Sequence, residues 1–198
     1  NHRVKNTLAT VQSLAWQSFR DADPAGLERF NARLAALSRA HNILTEESWH
    51  RAALSQIVAA VLGPIAGESI RTEGEECELP PKAAVSLAMV LHELGTNAIK
   101  YGALSAENGA VDLRWRSVES NGRRMLEILW EEQGGPPVTP PTRKGFGTRL
   151  IERQLGLEFG GSAGLDFRPD GLRCHMRLVL PANPDPLDPE RVAAGIGR

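Results

Sequence analysis

The sequence predicts an α+β chain in which an N-terminal helical hairpin, completed to a four-helix bundle by a second copy, precedes an α/β sandwich with helices on one face of a mixed sheet. Residues 1 to 48 carry apolar side chains at helical spacing, and two later stretches alternate apolar and polar residues in paired runs. Between them lies one long helical segment whose polar residues gather on one side.

Val4, Leu8, Val11 and Ala15 are spaced by four, three and four residues. After DADPAG the series Leu27, Phe30, Leu34, Leu37, His41 and Leu44 continues in threes and fours. Asp23 followed by Pro24 marks the second helix start, with Asp as N-cap and proline in the first turn. Two such helices cannot bury both apolar stripes alone, so residues 1 to 48 are expected to dimerise. His41 falls on the seam, where a packed, hydrogen-bonded histidine is expected.

Residues 51 to 66 are expected to form an apolar helix closed by Gly63 and Pro64, and residues 70 to 79 a polar connection or an edge strand. Pro80 and Pro81 open the long helix. Val111, Leu113 and Trp115 alternate with polar residues, SNG at 120 to 122 marks a turn, and Leu126, Ile128 and Trp130 alternate again, which is a β-hairpin. A helix is expected from Thr148 to about Leu157, then a second hairpin through residues 163 to 167, the PDG turn and residues 172 to 180. Residues 49 to 180 therefore form one α/β domain. The Pro-rich residues 181 to 198 are expected to be loosely ordered.

Composition narrows the function. With 198 residues, 41% of them hydrophobic, the chain has ample core for one domain or two small ones. Its 23 basic and 24 acidic residues leave a net charge of −1, against a nucleic-acid or anionic-membrane partner. No run approaches a membrane span and no signal-peptide pattern opens the chain, so a cytoplasmic location is expected. Cys77 and Cys174 lack any metal or redox spacing and are read as reduced thiols.

The chemistry concentrates in HELGTNAIKYG, residues 92 to 102. At 100° per residue, Ala84, Leu87, Ala88, Leu91, Leu94, Gly95 and Ala98 fall on one side of this helix, with Glu93, Asn97 and Lys100 opposite. Such a trio is either a solvated surface or a site. Two Gly-rich turns follow, WEEQGGPP at 130 to 137 and KGFGTRLIE at 144 to 152, the second running into a helix start whose free amides suit phosphate. Three such pieces in this order point to a nucleotide site.

In these motifs the chain resembles the catalytic region of bacterial sensor histidine kinases of the HWE family, within the GHKL ATPase superfamily. That family is named for a His in the helix with the asparagine and a Trp-x-Glu before the glycines, here His92, Trp130 and Glu132. NHRVKNTLATVQSLA resembles its phosphoacceptor box, with His2 in the acceptor position. The match runs from residue 1 to about residue 180, four motifs in the right order being far more specific than one.

The resemblance implies a GHKL-type (Bergerat) sandwich that binds ATP and Mg²⁺, autophosphorylates His2 within a homodimer, and passes the phosphoryl group to an aspartate on a response regulator receiver domain. Asn97 is then the Mg²⁺ ligand, and Glu132 accepts the adenine amino group where most GHKL proteins have Asp. Lys100 lies near the phosphates and Tyr101 over the nucleotide. Gly134 and Gly135 admit the base without a Cβ in the way, and Gly145, Phe146, Gly147 and Thr148 close the lid and cap phosphate oxygens. Arg3 follows the acceptor where other histidine kinases have an acidic residue, so Glu93 is the expected base for His2, or positions a water on the metal. Asn6 orients water for dephosphorylating a partner, or is a solvated side chain. Trp130 reads as a packed strand aromatic or a nucleotide contact, and His92 as a structural hydrogen-bonding group or a catalytic one. Arg143 and Lys144 read as γ-phosphate contacts or solvated lid charges. No sensor domain precedes His2, so the chain is expected to be a fragment. Two other readings stand beside this one: a non-catalytic dimeric scaffold that binds nucleotide or a regulator, and an anti-sigma-type serine kinase, which the hairpin carrying HRVKN disfavours.

Overall fold

The computed structural model describes residues 2–19, 24–46, 52–120, 122–138 and 160–180. The elements are α1 (His2–Phe19), α2 (Pro24–Glu46), β1 (Ala52–Ala53), α3 (Leu54–Ala66), β2 (Ile70–Gly74), β3 (Glu78–Leu79), α4 (Pro81–Lys100), β4 (Ala110–Ser120), β5 (Arg123–Gln133), β6 (Ser162–Arg168) and β7 (Gly171–Val179). Short 3-10 turns follow α3 and α4. The expected α+β class is what the chain adopts.

The main sheet has the order β2-β4-β5-β7-β6 and is mixed, since β2 runs parallel to β4 while the other neighbours are antiparallel. Register explains its two faces. Leu113 lies opposite Trp130, Trp115 opposite Ile128, and β7 sets Cys174 and Met176 beside Trp130 and Ile128. With a side-chain period of two, these residues share one buried face, against which Ile57, Val58, Val61 and Leu62 of α3 and Leu87, Leu91 and Leu94 of α4 complete a single core. The opposite face carries ion pairs such as Arg116–Glu127 and Arg177–Glu127.

Helix α3 ends at Ala66, the expected end, with Gly63 and Pro64 in its last turn, and Gly67, at φ 53°, ends it with its N–H bonded to the Gly63 carbonyl; its start differs, since Ala52 and Ala53 form β1. Proline forfeits only one backbone bond in a last turn, which a buried apolar face outweighs. Residues 70 to 79 take the edge-strand alternative as β2 and add β3, which pairs with β1.

Helix α2 packs along α4 and α3. Of the predicted seam, Leu27 and His41 are buried, Leu34 and Leu37 half-buried and Phe30 exposed. A second side of the helix, with Ala36 and Ala40, is fully buried and lets α2 approach closely, Ala40 joining the core. Cys77 and Cys174 are free and buried. Among the described residues no helix is long and apolar enough to cross a membrane. Asp23, the helix expected from Thr148 and residues 181 to 198 lie outside the described residues.

Candidate functional site

The site is built where α4 and β5 end side by side. The Asn97 carbonyl accepts the N–H groups of Tyr101, at 2.8 Å, and Gly102, at 3.0 Å, which closes the helix and starts the turn Ala103–Ser105. On β5, Trp130 and Glu132 are two residues apart and therefore face the same side, toward the helices. Glu132 is buried; one carboxylate oxygen accepts the Ala103 N–H at 2.8 Å and the other accepts the Trp130 indole N–H at 3.1 Å. Trp130 is fully buried, so it packs the strand and orients Glu132.

Glycines make this closeness possible. A Cβ on Gly102 would collide with the Glu132 carboxylate, and one on Gly135 with the Ala103 backbone. Gly134, at φ +74°, adopts a backbone conformation that L side chains rarely take. Burial pushes the Glu132 carboxyl above the usual carboxylate range, against the opposing pull of its Ala103 and Trp130 donors. Each of its oxygens spends one lone pair on those donors, which leaves acceptor capacity for an exocyclic amine.

The polar side of α4 is split. Asn97 and Lys100 are exposed, and Tyr101 is 73% exposed. Glu93, one turn before Asn97, is buried at 6% exposure, and the expectation that all three present one open face is corrected. Arg33 of α2 covers it, donating from Nε to Oε1 at 2.6 Å and from Nη2 to Oε2 at 2.9 Å. Desolvation would raise the Glu93 carboxyl, but His92 and the Arg33 guanidinium outweigh it and hold the carboxyl at about 2. His92 is buried with its Nδ1 3.9 Å from Glu93 Oε1, too far for a hydrogen bond, and that nitrogen has no hydrogen-bond partner.

Glu132, Gly134, Gly135, Asn97, Lys100 and Tyr101 thus belong to the adjoining ends of α4 and β5. His2 opens α1 and Asn6 lies one turn on, but their side chains are outside the described residues, as are Arg143, Lys144, Gly145, Phe146, Gly147 and Thr148. Sequence reasoning missed Arg33 and Gly102. Arg33 had a signal, since it lies three residues after Phe30 and four before Leu37, a cation set against an apolar stripe.

Residues 1–76 match the HWE histidine kinase family. A blue-light-activated histidine kinase of Brucella anthropi is 46% identical over 177 residues, covering 87% of this chain and 36% of that protein. One of Brucella ovis is 39% identical over 189 residues, covering 93% of this chain and 38% of that protein. The chain therefore spans little more than a third of the length of these curated relatives. Among solved structures, the histidine kinase domain of the Erythrobacter litoralis EL346 blue-light activated histidine kinase shares the fold, with a TM-score of 0.60 at 18% identity over 90% of this chain and 95% of that one.

Proposed function

The chain belongs to the HWE histidine kinase family, and from that premise we propose that it is the phosphotransfer and ATP-binding region of a cytoplasmic two-component sensor kinase. Residues 1 to 48 act as the phosphoacceptor hairpin and residues 49 to 180 as the catalytic domain. The observation that carries the reading is the buried Glu132 carboxylate with acceptor capacity to spare, beside the exposed Asn97, Lys100 and Tyr101.

Adenine places its amino group on Glu132, and the triphosphate runs across Asn97 and Lys100, with Tyr101 over the nucleotide. Asn97 offers one neutral oxygen, the donor set that suits Mg²⁺ held mainly by phosphates and water. Bound there, the ion neutralises charge on the phosphoryl group being transferred. Gly145, Phe146, Gly147 and Thr148 supply backbone amides to the phosphate oxygens. A neutral ring nitrogen of His2 is the nucleophile; the phosphoryl group then passes to a response regulator aspartate, and Asn6 orients water for the reverse loss of phosphate. Homodimerisation through the hairpin is supported by the exposure of Val11, Leu14 and Phe30 on α1 and α2.

The test is incubation with γ-labelled ATP and Mg²⁺ of the chain and of its His2→Ala and Asn97→Ala variants. Acid-labile, alkali-stable label on the parent chain, absent from both variants, is expected. Nucleotide binding without label would favour a non-catalytic scaffold.

A further inference from the structure

Glu93 and Asn97 stand one turn apart on the same side of α4, yet only Asn97 is open to solvent. The difference is Arg33. Its guanidinium spans both Glu93 oxygens, a bidentate charge-assisted pairing that is among the strongest side-chain contacts available. It comes from α2, an element of the acceptor hairpin, and the partners are 60 residues apart in sequence. A carboxylate so covered reaches neither a phosphoryl group nor an imidazole.

We propose that Arg33 is a positioning residue that withholds Glu93 from phosphoryl transfer, so that α2 must shift off α4 before His2 can be phosphorylated; this rests on the kinase reading above. In the transfer, the lone-pair nitrogen of the His2 imidazole forms a bond to the γ-phosphorus while the bond from that phosphorus to the β,γ-bridging oxygen breaks. ADP leaves with the electron pair, and the N–H proton of the other ring nitrogen passes to Glu93. Glu93 performs that last step only when Arg33 has released it. His92 Nδ1, buried 3.9 Å from the same oxygen and without a hydrogen-bond partner, is placed to take over. The pairing thus ties the position of the acceptor hairpin to the readiness of the base.

The experiment compares single-turnover labelling and nucleotide affinity in the parent chain, Arg33→Gln, Arg33→Lys and the double variant Arg33→Gln/Glu93→Gln. Arg33→Gln is expected to be labelled on the order of tenfold faster, a part of what a general base contributes, at an unchanged dissociation constant for ATP. Arg33→Lys, which keeps the charge but loses the fork, falls between, and the double variant takes no label. A merely structural arginine would not speed the chemistry when removed. An equal or slower rate in Arg33→Gln, with normal affinity and circular dichroism, overturns the proposal while the kinase reading survives. If Arg33→Gln does not fold, Arg33→Lys decides by the same criterion. Label in the variant but none in the parent chain means that Arg33 withholds the base fully. No label in any protein that binds ATP sinks the kinase reading, and this proposal with it.

Discussion

Glu132 shows how one residue type is fixed by three neighbours that do not look functional. The Trp-x-Glu spacing places indole and carboxylate on one face of β5, so the indole N–H holds one oxygen while the Ala103 amide holds the other. The carboxylate is then immobilised before any ligand arrives. Gly102 is the third neighbour, since its missing Cβ is the space the carboxylate occupies. Gly102→Ala should therefore displace Glu132 without touching it, because the added methyl would also lie 2.9 Å from the Ala98 Cα and cannot simply move aside. Nucleotide affinity is expected to fall by about tenfold or more, nearly as far as in Glu132→Ala, in a titration with a fluorescent ATP analogue. Equal affinities in parent and Gly102→Ala would remove Glu132 from the nucleotide site. The motif was legible in the sequence, but the reason for its spacing needed the third dimension: nothing local links Glu132 to an amide 29 residues earlier.

At the scale of elements, legibility followed burial geometry. Strands β4 to β7 were readable because each buries one face only, so apolar side chains recur with period two. Helix α4 was readable as a helix and misread as a surface. Its apolar stripe marks what packs on the sheet, but a charged residue buried by a partner leaves no period, and Glu93 is covered by a helix far away in sequence. Helix α3 keeps Gly63 and Pro64 inside its last turn for the converse reason, a buried face overriding both. The α3–α4 contact also positions the site, since α4 carries Glu93, Asn97 and Lys100 together. Gly95 sets that distance: a Cβ there would lie 3.0 Å from Leu62 Cδ2 and 3.6 Å from Ile65. Gly95→Leu gains helix propensity but overpacks the contact, and overpacking dominates. A net loss of about 1–3 kcal/mol in urea denaturation is expected. An unchanged midpoint would mean that α3 and α4 are not held at this spacing.

For the whole molecule, the question is what joins the N-terminal hairpin to the sheet domain, and the Arg33–Glu93 pair is a bidentate polar link between α2 and α4. Its energetics carry a sign that can be checked. The Glu93 carboxyl lies at about 2 in the folded chain against an ordinary value of 4.5. A depressed folded value means that the unfolded chain binds the proton more readily, so the contribution of the ionised carboxylate with His92 and Arg33 together is fully present above the ordinary carboxylate range. It is lost as pH falls from 4.5 toward about 2. A tenfold difference in proton affinity between the folded and unfolded chain corresponds to about 1.4 kcal/mol, so the contribution at neutral pH is on the order of 3 kcal/mol. Glu93→Gln has no such titration. The stability gap between parent and Glu93→Gln, from urea denaturation at a series of pH values, should therefore be widest near neutrality and narrow steadily below the ordinary carboxylate range. Glu132 acts in the opposite sense: its raised carboxyl favours the folded state on acidification, and that effect is common to both proteins and cancels in the difference. A gap that stays constant with pH would show that Glu93 is not paired in solution, and that the hairpin lies elsewhere on α4 than Arg33 places it.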